Sequence, residues 1–371
     1  MEDGGNPARL RSMDIFKGMA ITVIVILHIA IVAKGDVKDP IPPVQALYLG
    51  LIGFFIMSGY FFRPGRGFKE NMRRRVKILF FALLVASILM PIIMFLWCCL
   101  WGQPTDFDDL ILCIERCFRV ERSFLDFDAT VPWAICGFSM GYYFLWVLLI
   151  ACVIFYAVAD RIRDNWKLGV AVVAVLLLFT IVYRELFSFG LPFDLNLCPM
   201  AALFMIIGMY LAKLDLVGKV ESSKMSNPRF WALFLGSTAA LMAMVYILPP
   251  SIDFDYMDFG KYGGYSAIPY VVEATLAFIM LLYLAFFISK IPFISSMFSE
   301  LGKHTMGILI LHCFIAKLIM APFFTFNDVV CLPADLEGIG RILLAFASLL
   351  LAYAVCAYGP VVLKRLKTKK E

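Results

Sequence analysis

The sequence is poor in charged residues. Lys, Arg, Asp and Glu make up 16% of its 371 residues, whereas 62% are hydrophobic. Soluble domains contain about 25% charged residues. So little charge cannot cover the surface of a soluble protein of this size. The composition therefore excludes a soluble globular enzyme and indicates a polytopic membrane protein.

Several common site motifs are also missing. There is no Walker A sequence, no GxGxxG, no CxxC and no Cys/His spacing typical of a metal site, so neither standard nucleotide site nor a metal is expected. No repeat, linker or low-complexity tract divides the chain. We therefore predict a single transmembrane domain over residues 1–371.

Long apolar runs fill most of the chain. A run of about 20 apolar residues can cross a membrane as a helix, whereas a barrel strand needs only about 9–11 alternating residues. The sequence therefore predicts an all-α fold of about ten transmembrane helices in the lipid bilayer. The runs lie near 13–33, 44–62, 78–98, 137–158, 168–184, 197–212, 230–248, 267–289, 304–323 and 340–363.

Basic residues predict the orientation of these helices. With the N-terminus inside, the inner segments hold 24 of the 33 Lys and Arg residues, the bias expected of cytoplasmic segments. Both termini are therefore predicted to be cytoplasmic. The net charge of +5 reflects this topology and is not evidence for a nucleic-acid partner. The inner segments are 1–17, 63–77, 159–167, 213–229, 290–303 and 364–371.

Histidine is scarce, and its placement is informative. Only three are present, and His28 lies eleven positions after Lys17 in the first apolar run. At about 100° and 1.5 Å per residue, the two share a helix face, with His28 about 16 Å deeper. Asp14 lies near the same stripe. Ionisable groups in a membrane usually face a protein interior or a cavity, although Asp14 and Lys17 are also compatible with marking a helix end.

Two further ionisable groups lie inside predicted helices. His312 follows Lys303 by nine residues, which places it about 13 Å into the membrane, near the depth of His28. The two imidazoles are therefore expected to line one cavity, whereas His304 is interpreted as a helix-start residue. Glu273 lies near the outer end of the eighth run and is a candidate on the acceptor side, with a helix-end role as the alternative.

A basic segment, interpreted as an inner loop, follows the second run. Seven of the 15 residues from 63 to 77 are Lys or Arg. Orientation and contact with anionic lipid offer one explanation, and docking of a phosphorylated cosubstrate offers another, since Arg binds phosphate in a bidentate way.

Two predicted outer segments, 105–128 and 251–265, mix acids with aromatic residues. Such surfaces suit sugars, but they also suit the membrane interface. The first predicts an amphipathic helix that starts after Pro104, with Thr105 or Asp106 as its N-cap.

Five motifs occur in an order that resembles acyltransferase family 3, the multi-pass membrane O-acyltransferases of bacterial surface glycans. They read DIFKGMAITVIVILH, FFIMSGYFF, MRRRVKIL, YFLWVLL and LGKHTMGILILH, and the resemblance covers nearly the whole chain. The most specific is a basic residue, ten intervening residues and then His, here Lys17 and His28. Ser58 and Gly59 match the family's serine-glycine turn, and His312 ends the late motif. The basic motif departs from the family pattern, because its last Arg and Pro are replaced.

The resemblance implies an enzyme of the bacterial cytoplasmic membrane. It would transfer an acyl group, in the simplest case acetyl from cytoplasmic acetyl-CoA, to a glycan hydroxyl reached from outside. The catalytic candidates are His28 as general base, Lys17, Asp14, His312 and Glu273. The cosubstrate-binding candidates are Arg73, Arg74, Lys77, Ser58 and Tyr60.

The sequence leaves several alternatives open. Ser58, Tyr60, Lys17 or a second imidazole would suit the role of oxyanion donor. A transporter or flippase of a glycan or lipid-linked intermediate is the alternative function, since intramembrane His and Glu also suit proton relays. The acceptor, the length of the acyl group and the oligomeric state are not determined.

Overall fold

The computed structural model describes residues 10–34, 47, 50–102, 106–119, 143–187, 191–224, 226–247, 267–320 and 337–368. These residues form thirteen helices and no strand. In chain order the helices are α1 (Arg11–Lys34), α2 (Gly53–Tyr60), α3 (Gly67–Leu100), α4 (Phe107–Arg119), α5 (Tyr143–Asp164), α6 (Trp166–Leu186), α7 (Cys198–Lys213), α8 (Leu216–Ser222), α9 (Pro228–Ile247), α10 (Ala267–Ser289), α11 (Pro292–Lys303), α12 (Thr305–Met320) and α13 (Glu337–Thr368).

The all-α polytopic fold predicted from the sequence is confirmed. Each of the ten predicted apolar runs coincides with a helix, and seven helical stretches in the described ranges are long and apolar enough to cross a membrane. The second run, 44–62, differs most from its prediction, because its helix α2 has only eight residues and follows a 3₁₀ turn at Gly50–Ile52. Residues 35–46 in and before this run lie outside the described part.

The basic segment 63–77 is mostly helical, which corrects its interpretation as a loop. The chain turns at Gly65 and Gly67, whose φ angles of +80° and +71° favour glycine. From Gly67 onward the segment forms the first turns of α3. Near the middle of α3, Val85–Leu89 is π-helical, and Pro91 follows it. Because proline lacks an N–H, the normal hydrogen-bond ladder cannot continue there.

The first predicted outer segment begins as expected. α4 starts at Phe107, and Asp106 caps it, since its Oδ1 accepts a hydrogen bond from the N–H of Asp109 at 2.9 Å. The Asp109 carboxylate in turn accepts a hydrogen bond from the N–H of Asp106 at 3.1 Å. Each side chain therefore satisfies the backbone N–H of the other residue, as in a capping box. Residues 120–128 and all of 251–265 lie outside the described residues.

Helix α1 lies inside the bundle. It packs against α11, α10, α13 and α12, while α2 packs against α7, and α7 against α5 and α6. Phe16 of α1 is fully buried, and its ring lies 5.2 Å from that of Phe278 in α10. By contrast, α6 and α9 keep most of their apolar surface at the outside of the bundle, as expected of helices that face lipid.

Two helix crossings bring main chains into contact through pairs of glycines. Where α1 meets α11, a Cβ on Gly18 would overlap the carbonyl of Phe298, and a Cβ on Gly302 would overlap that of Asp14. Where α2 meets α7, Gly59 and Gly208 face the partner main chain in the same way. Small residues allow such close approach in membrane proteins. The first crossing fixes the position of Lys17 and Lys303, the neighbours of its glycines.

We expect Gly18→Ala to destabilise the protein, because the added methyl has no room against the Phe298 carbonyl. Overpacking typically costs about 1–3 kcal/mol, occasionally more. The matched control is Gly236→Ala in α9, where a Cβ meets nothing within 4 Å. The measurement is the temperature at which the detergent-solubilised protein loses its monodisperse peak in size-exclusion chromatography. A Gly18→Ala protein as stable as the Gly236→Ala control would contradict the tight crossing.

Candidate active site

One face of α1 lines a cavity of about 310 Å³. Lys17, Ile21, Ile24 and His28 all contribute to its wall, and their spacing of four, three and four residues is that of one helix face. Lys17 and His28 are the two ends of this lining stripe. The shared face that the sequence predicts for these two residues is therefore present in the fold.

The other walls come from five further helices. α2 contributes Phe54 and Ser58, α3 contributes Arg75 and α5 contributes Phe144. The α11 end contributes Lys303, and α12 adds apolar side chains such as Leu309. The cavity thus combines an apolar lining with three cationic side chains and one imidazole, a composition suited to a ligand that is partly apolar and partly anionic.

The two imidazoles predicted to share a depth are in direct contact. His28 Nδ1 lies 2.8 Å from His312 Nε2, and the two rings are nearly parallel, 19° apart. Both residues are buried, and His312 is completely inaccessible. His28 lines the cavity, whereas His312 does not. His312 therefore lies behind His28.

The hydrogen bonds define the tautomers of this pair. His312 Nδ1 lies 2.9 Å from the carbonyl oxygen of Ile308, and a carbonyl can only accept, so Nδ1 carries the proton. In the neutral ring Nε2 of His312 is then an acceptor, and His28 Nδ1 must be the donor to it. A neutral His28 that is protonated on Nδ1 has its lone pair on Nε2. That nitrogen is the one not bonded to His312.

Cys313 lies next to the pair. Its Sγ is 3.2 Å from His312 Nε2 and 3.8 Å from His28 Nδ1. The side chain is buried. Three side chains with nitrogen or sulfur donors are therefore close together, with their donor atoms within 4.8 Å of one another.

Three cations surround the cavity, each held by a partner. Lys17 Nζ lies 3.3 Å from Asp14 Oδ1 and 5.7 Å from the ring centroid of Phe61. Arg75 Nε donates a hydrogen bond to the hydroxyl of Tyr156 at 3.0 Å, and Lys303 pairs with Glu300. Asp14 is buried and does not itself line the cavity, so its contact with the site is through Lys17.

The remaining predicted residues lie at different places. Ser58 lines the cavity, and its hydroxyl donates to the Phe54 carbonyl at 2.9 Å. Tyr60 is half-buried outside the cavity lining, and Glu273 is buried in α10, also outside it. Arg73, Arg74 and Lys77 are exposed on α3 and do not line the cavity. The structure thus brings together His28, His312, Lys17, Asp14 and Ser58.

Sequence reasoning missed Arg75 and Lys303 as cavity residues. Arg75 lies four residues before buried Leu79 and four after buried Asn71, so the periodicity of α3 places it on the buried face. Arg74 and Arg73 are turned away by about 100° and 200°. In the sequence Lys303 marks only the membrane boundary, and its neighbour Gly302 is the sign of a close helix contact.

Comparison with known proteins identifies one relationship. The model of a family described as an acyltransferase domain matches residues 10–359, nearly the whole chain. No curated protein and no solved structure matches the chain.

Proposed function

The chain belongs to this acyltransferase domain family, and from that membership we propose that it transfers an acyl group, in the simplest case acetyl, from acyl-CoA on the cytoplasmic side to a hydroxyl of a cell-envelope or exported glycan. His28 is the general base. The coarser part, a multi-pass membrane acyltransferase, follows from the family match together with the apolar helices. The identity of the acyl donor, the identity of the acceptor and the role of His28 as base are the parts that we propose.

One observation carries the choice of base: the hydrogen-bonded pair of His28 and His312 beside a cationic cavity. In this arrangement Nε2 of His28 has a lone pair and takes the proton of the acceptor hydroxyl. His312 keeps the ring in that tautomer and orientation, as the third member of a catalytic triad does for its histidine. His312 is therefore a positioning residue, and it holds His28 through Nδ1.

The proposed reaction is direct acyl transfer. The acceptor oxygen attacks the thioester carbonyl as its proton passes to His28 Nε2. The C–S bond then breaks, the sulfur leaves as the CoA thiolate, and Nε2 returns the proton to it. The products are an ester and CoA–SH, and His28 is again neutral. General-base catalysis of this kind typically contributes about 10²–10⁴-fold.

The three cations suit the phosphates of CoA. Arg75 is held by Tyr156 at 3.0 Å, so its planar guanidinium is oriented before the ligand arrives, and Arg binds phosphate in a bidentate way. A cavity of about 310 Å³ is at the lower end of small-molecule sites. It suits the acyl and thioester end of the donor, with the phosphates near Lys17, Lys303 and Arg75.

The oxyanion of the tetrahedral intermediate needs a hydrogen-bond donor, and the contacts of Ser58, His312 and Lys17 argue against each of them. The hydroxyl of Ser58 already donates to the Phe54 carbonyl, and the N–H of His312 donates to Ile308. Lys17 lines the cavity, but its Nζ contacts Asp14, which lies one turn before Lys17 and so on the side away from His28. About 16 Å of helix separates Lys17 from His28, so Lys17 belongs with the phosphates and not with the thioester carbonyl. Arg73, Arg74 and Lys77, which are exposed, are left with a long-range role in attracting an anionic donor.

The proposal is tested on purified protein in lipid vesicles. We expect release of CoA–SH from acetyl-CoA that depends on an added glycan fraction, together with a mass increase of one acetyl group on that fraction. Succinyl-CoA and longer acyl-CoAs are run in parallel to identify the donor. Movement of an unmodified glycan across the vesicle membrane without release of CoA–SH would instead support the transporter alternative and overturn the proposal.

A further inference from the structure

We propose that His28, His312 and Cys313 form a binding site for a zinc-class divalent cation, and that a cation bound there inhibits the enzyme. The site is built from one residue of α1 and two of α12. The binding part is independent of the proposed function, whereas the inhibition rests on His28 being the base.

The donor atoms are already close to the spacing that zinc requires. Tetrahedral zinc has Zn–N distances of about 2.0–2.1 Å and a Zn–S distance of about 2.3 Å. From these lengths, two nitrogen ligands lie about 3.3 Å apart and a nitrogen and a sulfur about 3.6 Å apart. The observed separations are 2.8 Å between the imidazole nitrogens and 3.2 and 3.8 Å from the sulfur. Shifts of about half an ångström would bring the donor atoms to this spacing, and rotation of the two nearly parallel rings would turn their lone pairs to a common ion.

The chemistry of the three donors selects a borderline or soft cation. Imidazole and thiolate are the ligands that zinc prefers, and hard cations such as Mg²⁺ and Ca²⁺ prefer oxygen. Three protein ligands also leave the fourth tetrahedral position for water. Burial of His312 and Cys313 favours direct ligation, because a divalent cation in this environment needs its hydration shell replaced.

Binding moves two protons. The thiol of Cys313 gives its proton to the medium and becomes a thiolate ligand. The proton on Nδ1 of His28 must also leave that nitrogen, and a neutral ring then carries it on Nε2. His312 already has its lone pair on Nε2 and keeps its Nδ1 proton on the Ile308 carbonyl, the kind of partner that commonly fixes a ligating histidine.

Inhibition follows from this change of tautomer. With the cation on Nδ1, Nε2 of His28 carries a hydrogen and cannot accept the proton of an acceptor hydroxyl. The ion and general-base catalysis therefore exclude each other. Lys17, Arg75 and Lys303 line the same cavity and repel a divalent cation on its way in, so we expect slow loading, with inhibition that develops over time.

Cobalt provides the binding test, since it replaces zinc and gives a thiolate-to-metal absorption band. We expect EDTA-treated, purified protein to take up one equivalent of Co²⁺ with this band, and zinc to displace it. Cys313→Ser should remove the band and weaken zinc binding. Loss of a second-shell partner alone costs about 10–100-fold, so loss of a ligand should cost about 100-fold or more. The matched control is Cys198→Ser, a buried cysteine whose Sγ faces the Asp194 carbonyl at 3.5 Å.

The outcomes separate binding from function. No thiolate band in the parent, or a band that persists in Cys313→Ser but is lost in Cys198→Ser, overturns the site. Full activity of parent protein that has the Co²⁺ band after equilibration overturns the inhibition. Failure of the proposed function looks different. The metal-free parent protein would then release no CoA–SH, although the same protein gives the band once Co²⁺ is added. Cys313→Ala, analysed only as a monodisperse fraction, repeats the test without a buried hydroxyl.

Discussion

Replacing His28 with glutamine should lower kcat by about 10²–10⁴-fold, the usual contribution of a general base. Glutamine can still donate a hydrogen bond to His312, but it cannot take a proton. The KM for acyl-CoA should change little, because the cations lie elsewhere on the cavity wall. The measurement is steady-state release of CoA–SH by purified protein with acetyl-CoA and acceptor. His28→Gln protein within a few-fold of the parent rate would rule out the assignment.

His312 supplies the control for this prediction. Because it acts through Nδ1 of His28, His312→Ala should also slow the reaction. The double variant His28→Gln/His312→Ala should be no slower than His28→Gln alone, since residues that act as a unit are not additive. Losses that multiply in the double variant would show that His312 has a role separate from His28. All variants are compared as monodisperse fractions, since the pair is buried.

Replacing Arg75 with alanine should raise the KM for acyl-CoA by roughly 10- to 100-fold while kcat stays within a few-fold. Hydrogen bonds to charged groups contribute about 1.5–3 kcal/mol, and phosphate contacts far from the carbonyl bind the ground and transition states alike. The neighbouring Arg74→Ala is the matched control. It removes the same charge from an exposed position outside the cavity lining, and its KM should rise only slightly.

A second variant separates the position of Arg75 from its charge. Tyr156→Phe removes the hydroxyl that accepts the Arg75 Nε–H and leaves the charge in place, so we expect an intermediate rise in KM. High salt should weaken the effect of Arg74 more than that of Arg75, because exposed charges are screened more strongly. An Arg74→Ala protein whose KM rises as much as that of Arg75→Ala would mean that the donor binds on the outer face of α3.

The predictions that concern single helices rest on helix periodicity and on the depth of each residue in the membrane. The face shared by Lys17 and His28 follows from eleven residues of regular helix, and the similar depth of His28 and His312 follows from the distance of each to a basic boundary residue. The contact between the two rings could not be derived in this way. It depends on the packing of α1 against α12, elements that are about 280 residues apart in sequence.

The basic segment shows where composition alone is insufficient. Seven Lys and Arg residues between 63 and 77 indicated an anionic partner, but not which side chains face it. That choice depends on the rotation of α3, which is fixed by the burial of Leu79 and by the Tyr156 hydroxyl on α5. Charge counts do not report the rotation of a helix. The predicted candidates Arg73 and Arg74 are exposed, whereas Arg75, which is not among the predicted candidates, lines the cavity.

The glycine-paired crossing of α1 and α11 has a consequence for how such an enzyme could diversify. The distance between Lys17 and Lys303 is set by main chain rather than by side chains, because the two backbones are in contact at Gly18 and Gly302. Substitutions cannot easily widen or narrow that wall. The opposite wall is made of side chains such as Phe54 and Phe144, which can change size one at a time. New donor preferences should therefore evolve on α2 and α5, while the α1–α11 wall stays constant.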